Sequence, residues 1–268
     1  MTDDTRPTTP LPDGEVSSEP RRRRRAWPWV VVGVVAVVVA ALVVGEVVAR
    51  QAVANVVRER AIEQLQLPAD QPIDVEVSGS ALLQLVTGTF GELRISSEDV
   101  AFGEITGNVV VDLKDVEVRG GGMGDGTATI ALDQTQLRGL VGSIGGLPAD
   151  AIGMSGGAIT VSTTIELLGM QTEIGVGLTP GAADGELVLT PSSVTAAGTT
   201  MSADEVRDRF GSLVGGVLKD WPVCVARYLP AGLTLTDVRV VDGRLVAGFA
   251  VDGGIATDPA LREKGTCS

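Results

Sequence analysis

Three kinds of hydrophobic pattern divide this chain: an unbroken apolar run, a helical spacing and a strand alternation. From Ala26 to Gly45 twenty consecutive residues carry no charge, and nearly all are Val, Ala, Leu or Gly. A helix rises about 1.5 Å per residue, so twenty residues span roughly 30 Å, the thickness of a hydrocarbon core. Helical spacing follows from Glu46 to Leu67. Val53, Val57, Ala61 and Leu65 fall four apart with Val56 beside them, against charged Arg50, Arg58, Glu59, Arg60 and Glu63, and Pro68 ends the pattern. The spacing predicts a helix that continues directly out of the apolar run.

Strand alternation begins at Ile73 and runs to Ser78. Ser80 to Thr87 reads as a short apolar helix with Ser80 as N-cap and Gly88 past its end. Glu104 to Arg119 alternates around Val109, Val111, Leu113, Val116 and Val118, and Gly120–Gly126 is a loop. Thr127–Leu132 reads as a strand, and Gln134–Val141 as a helix capped by Asp133. The Gly-rich stretch 142–157 reads as a connection. Residues 158–167 and 169–178 suggest one hairpin; 186–190 and 194–199 suggest another, broken at Pro191. Ser202 and Glu205 form a capping box ahead of Val206, Phe210, Leu213, Val214, Val217, Leu218 and Trp221, which predicts one amphipathic helix stopped by Pro222. Inside it, Gly215 and Gly216 each cost about 1 kcal/mol against alanine. Finally Asp242-Gly243 sits between two apolar strands, a strong hairpin signal. The sum is an α+β domain dominated by a long antiparallel meander.

Charge turns the apolar run into a topology. Arg21 to Arg25 precede it directly, and Trp27 and Trp29 open it. Arginines stay on the cytoplasmic side and tryptophans favour headgroups. The expected organisation is a disordered cytoplasmic arm at 1–25, a transmembrane anchor at 26–48 and an extracytoplasmic domain at 49–268. The competing reading is a cleaved signal peptide with its cut after Val47-Val48-Ala49, although signal cores usually run only about 7–15 residues. The acidic balance is confined to the large domain. Residues 1–25 carry six Arg against five Asp/Glu, whereas residues 50–268 carry 15 Lys/Arg against 28 Asp/Glu. Such a surface disfavours nucleic acid as a partner.

Two cysteines, Cys224 and Cys267, lie in the large domain. An oxidising compartment favours a single disulfide between them; two free buried thiols are the alternative. The chain has no histidine, which removes imidazole catalysis and His-ligated zinc. No Gly-Lys-Ser/Thr follows a glycine loop, and the acidic clusters Glu98-Asp99 and Asp112/Asp115 lack EF-hand spacing. No cofactor or metal is expected. Beyond the apolar run there are one Trp, one Tyr and four Phe, few for a saccharide groove. Instead the apolar positions are aliphatic, which suits either an ordinary core or a slot for acyl chains.

The order of local motifs resembles the LmeA-like phospholipid-binding family of actinobacterial envelope proteins. The resemblance rests on Ile62-Glu-Gln-Leu-Gln-Leu-Pro68, on Gly79-Ser-Ala-Leu-Leu-Gln-Leu-Val-Thr-Gly88 leading into Leu93-Arg-Ile95, on Val223-Cys-Val-Ala-Arg-Tyr-Leu-Pro230, on the strand from Gly232 and on the closing Gly265-Thr-Cys267. It implies a tubular lipid-binding type of fold, a highly curved antiparallel sheet wrapped around helices, after one transmembrane helix. It further implies binding of phospholipids, phosphoinositides among them, in support of lipoglycan (mannan) assembly, and it supplies no catalytic residue. On this reading two helices border an apolar slot. One gives Leu82, Leu83, Leu85 and Val86, with Phe90 just beyond; the other gives Phe210, Leu213, Val214, Val217 and Trp221. Arg94, Arg119, Arg138 and Arg227 are candidates for a phosphate at the rim. Two rivals are a scaffolding ectodomain with a solid core and a carboxylate-based hydrolase or transferase.

Overall fold

The computed structural model describes residues 27–65, 67–102, 105–144, 151–167, 170–215 and 218–267. The arm of residues 1–25 and the slot candidate Val217 lie outside the described residues. The chain divides into two compact units, Met1–Val44 and Gly45–Ser268. In the first, residues from Trp27 onward are helical, and their apolar side chains are exposed, Trp29 by 80 % and Val37 by 69 %. This is one helix long and apolar enough to cross a membrane. The helix α1, Trp27–Leu65, continues into the second unit as the uninterrupted helical spacing predicts.

In the second unit, alternation produces two open antiparallel sheets. The first contains β1 (Ile73–Val77), β2 (Thr89–Phe102), β3 (Ile105–Glu117), β4 (Gly126–Leu132), β11 (Leu233–Val241) and β12 (Arg244–Val251), in the order β1-β2-β3-β4-β12-β11. The second contains β5 (Ile152–Ser155), β6 (Ala158–Leu167), β7 (Met170–Ala183), β8 (Glu186–Ala196), β9 (Thr199–Ser202) and β10 (Trp221–Val223), in the order β10-β8-β7-β6-β5, with β9 also on β8. Among the described residues the further α-helices are α2 (Ala81–Thr87), α3 (Gln134–Ile144) and α4 (Ala203–Phe210). Among the described residues the architecture is α+β, and neither sheet closes. The meander is also not continuous, because the whole second sheet is inserted between β4 and the pair β11–β12.

Three sequence expectations change. The stretch 186–199 is not a hairpin at Pro191. β8 runs straight through that proline, and Val194 to Ala196 pair instead with β9. A register shift near Leu178 lets the strand accept the residue that cannot donate. The helix from Ser202 does not reach Trp221. It ends at Phe210, because Gly211 takes φ 57 and ψ −133, a conformation that only glycine adopts readily, and a short 3-10 turn follows to Val214. Trp221-Pro222-Val223 is then an edge strand on β8, where a proline's missing N–H costs no ladder bond. The Gly-rich connection also contains a strand, β5.

Among the described residues three apolar clusters hold the unit together. The first joins Ala49 and Val53 of α1 to Val77, Ala81, Phe90 and Leu93. The second joins Ala203, Val206 and Leu218 with half-buried Val194, Met201 and Val214. In the third, Leu235, Val238 and Phe249 of the first sheet meet Ala182 and Leu187 of the second. Gln71 locks the end of α1 to the first sheet. It is 7 % exposed, its amide donates to Ser97 Oγ at 3.0 Å and the Glu98 carbonyl at 2.7 Å, and its own carbonyl accepts from Arg58 at 2.9 Å. Cys224 and Cys267 form a disulfide with their Cα atoms 5.9 Å apart, the expected pairing.

Candidate functional site

Residues directly opposite one another in an antiparallel ladder share a face. The register of the first sheet therefore places Val75, Ile95, Val111, Ala128, Phe249 and Leu235 in one row across all six strands. A second row on that face runs through Val109, Ile130, Ala247 and Val238. The intervening positions form the polar face, Glu76, Arg94, Asp112 and Thr127 in register. One side of this sheet is thus mainly apolar, with Phe249 its aromatic member and Ser97, opposite Val109, a polar position tied to Gln71.

The cover over that side is uneven. At one end α1 and α2 pack on it through the first cluster; at the other the second sheet packs on it through the third. Val109 and Val111 lie between them on β3, the strand against which α3 also packs, half-buried and in neither cluster among the described residues. No large apolar side chain among the described residues is completely buried. A sheet face of this kind offers aliphatic contact area that protein atoms only partly use.

Helix α2 stands at the covered end, and its position is fixed from outside its own sequence. Ser80 caps it as expected, Oγ accepting from the Leu83 N–H at 3.3 Å, and the Gly88 N–H closes the far end on the Gln84 carbonyl at 2.8 Å. Glu46 of α1 adds a second cap. Its carboxylate accepts from the Ala81 N–H at 2.8 Å, the Leu82 N–H at 3.2 Å and the Ser80 hydroxyl at 2.9 Å. Arg50, one turn on, donates to Glu46 at 2.8 Å and to the carbonyls of Val77 and Gly79. An anion against the unpaired N–H groups of a helix start is favourable on both hydrogen-bond and dipole grounds. The pair Glu46/Arg50 is legible as an i,i+4 contact on α1; its grip on α2 is not.

The sequence-derived slot residues separate into groups. Leu82 and Leu85 are half-buried and Phe90 is buried, all in the first cluster. Leu83 and Val86 point away from it, 64 % and 84 % exposed. Val214 belongs to the second cluster, while Phe210 and Trp221 are 48 % and 40 % exposed. Leu213 lies in the 3-10 turn. Among the described residues α4 ends at Phe210 and does not align the latter group, and α2 and α4 serve different clusters. Among the rim arginines, Arg94 pairs with Asp112 at 3.1 Å, Arg138 donates to the Ile152 carbonyl at 2.9 Å and Arg227 lies 4.8 Å over the Tyr228 ring; Arg119 is exposed.

The other polar features carry little chemistry. A cavity of about 300 Å³ beside the disulfide is lined by Asp184, Glu186, Thr234 and Thr266. Among the described residues no three acidic or cysteine side chains converge as metal ligands. At α4, Glu205 is held below the ordinary carboxylate range by the Ser202 N–H at 2.8 Å and the Ser202 hydroxyl.

An open, partly covered and mainly apolar sheet face suits an apolar ligand. The chain belongs to the LmeA-like phospholipid-binding family, whose model matches residues 40–249. The match takes in α2, the aliphatic rows and Cys224, and stops short of Cys267. No curated protein and no solved structure matches the chain.

Proposed function

We propose that this protein is a membrane-tethered, extracytoplasmic phospholipid-binding protein that serves envelope lipid and lipoglycan assembly. The observation that carries it is the aliphatic face of the first sheet with Val109 and Val111 between two packed ends. An acyl chain laid along the Val75-to-Leu235 row replaces water there, and each buried CH₂ contributes about 0.8 kcal/mol. Leu82, Leu85 and Phe90 border one end of this slot, and the sheet curves round the bound chains. Phe210, Leu213, Val214, Val217 and Trp221 give a second apolar border on the side of the other sheet. The headgroup, phosphoinositides included, stays at the rim, with Arg119 the candidate not committed to another contact described above. The apolar run crosses the membrane with its arginines inside, which keeps the domain next to its lipid source.

The test is native mass spectrometry of the full chain released from detergent, with and without Val111→Trp. The wild type is expected to retain phospholipid masses. The variant is expected to lose them with its melting temperature changed only by the lost ligand. A wild type that retains no lipid and takes none from vesicles, with a variant destabilised by about 1–3 kcal/mol from overpacking, overturns the proposal.

A further inference from the structure

The outer edge of α2 is exposed among the described residues, and its attachment points to a candidate cover. Leu83 and Val86 are three apart, so they share a helix face, and they are 64 % and 84 % exposed. From Val77 to Gly91 fifteen residues carry no charge, as do residues 151–165 and 187–203, but only the first stretch holds a helix with two such exposed apolar side chains among the described residues. The start of α2 is hydrogen-bonded to Glu46, the first charged residue after the apolar run, and a side chain at Gly45 would touch Leu82 Cδ1 at 3.1 Å. Seven helical residues extend roughly 10 Å, and the headgroup layer of one leaflet is roughly 5–8 Å deep. Wherever α2 runs from Glu46, it starts at the boundary where the apolar run ends.

We propose that α2 is a membrane-contact element: Leu83 and Val86 enter the outer leaflet while Leu82 and Leu85 face the sheet. The seven-residue helix then separates bilayer from apolar sheet face, its two sides touching lipid and protein respectively. An apolar helix edge with no charge to repel anionic headgroups suits the interface. The absence of charge between Val77 and Gly91 lets the acidic domain approach such a surface at α2. This inference rests on the tether reading above, and it would place the lipid entry route at α2.

The full chain, with its disulfide intact, is reconstituted into phosphatidylcholine vesicles containing a minority of phosphatidylglycerol. Single variants Leu83→Cys, Val86→Cys, Val38→Cys and Gln171→Cys each carry an environment-sensitive fluorophore; Gln171 is an exposed position of the second sheet. Leu83→Cys and Val86→Cys labels are expected to be quenched by bromine-bearing acyl chains and to lose most of their quenching by aqueous iodide, while Gln171→Cys shows the reverse. Iodide quenching at 83 and 86 equal to that at 171 overturns the inference and leaves the tether standing, provided Val38→Cys is quenched by the brominated chains. Protection from iodide without quenching by brominated lipid means a protein surface, a second copy among the options, covers α2, and also overturns it. If Val38→Cys is not quenched by lipid, the tether reading falls and this inference with it.

Discussion

Two short helices, α2 and α4, are both capped by a serine and a glutamate, yet the glutamates come from opposite directions. At α4 the partners are Ser202 and Glu205, three residues apart, and each side chain serves the other's backbone N–H. At α2 the serine is local but Glu46 arrives from α1, 35 residues before the Ala81 N–H it accepts. The local box starts a helix and nothing more. The long-range cap starts a helix and also binds two distant segments together, so the same chemistry becomes a tertiary contact. The ends are secured differently as well. Beyond α4 the chain is tied covalently through Cys224, just after β10, whereas the α2 end relies on hydrogen bonds and the first apolar cluster.

The covalent tie gives the largest expected effect. Cys224→Ser with Cys267→Ser opens a loop with a sequence separation of 43 residues. Chain-entropy reasoning puts the loss at about 3–4 kcal/mol, read by denaturant unfolding of the oxidised wild type against the variant. An unchanged midpoint would mean that the α4 side is held by packing alone. Next comes the comparison of caps. Glu46→Ala releases contacts to Arg50, Ser80, Ala81 and Leu82, while Ser202→Ala releases one local cap, worth about 0.5–2 kcal/mol. The Glu46 variant is expected to melt lower than the Ser202 variant and to speed amide exchange at Ala81 and Leu82. Equal melting temperatures would show that Ser80 and packing suffice for α2.

The smallest effect is a pH dependence. Glu205 is held below its ordinary value by the Ser202 N–H, so its contribution is present above the unfolded carboxylate value. It is lost as pH falls through the lower folded value. Glu205→Gln keeps a capping-box geometry without the charge, and is expected to flatten the acid limb of α4 unfolding while leaving neutral pH little changed. An acid limb identical in both proteins would assign the pH response to other carboxylates.

How far the sequence could be read follows the range of the interaction involved. The span-length run, the helix leaving it, both serine caps and the Asp242-Gly243 turn depend on neighbours a few residues apart, and each appears where expected. The alternation at Val109, Val111 and Leu113 also fixed which face of β3 is apolar. It could not say what lies over that face. Pairing decided the rest. Pro191 reads as a break until β9 and β10 line the same edge of β8, and Trp221 reads as helical until Gly211 and β8 claim its segment. The site shows the same division. Leu82, Leu83, Leu85 and Val86 were recognisable as an apolar set on one helix, yet seven residues cannot tell their inner side from their outer. The first cluster buries one pair's side of α2 and Glu46 and Arg50 fix the helix against α1, leaving Leu83 and Val86 outside. Local spacing determined most of the elements and the span-length apolar helix; burial and long-range hydrogen bonds, which have no sequence period, decided which apolar residues face protein and which stay exposed.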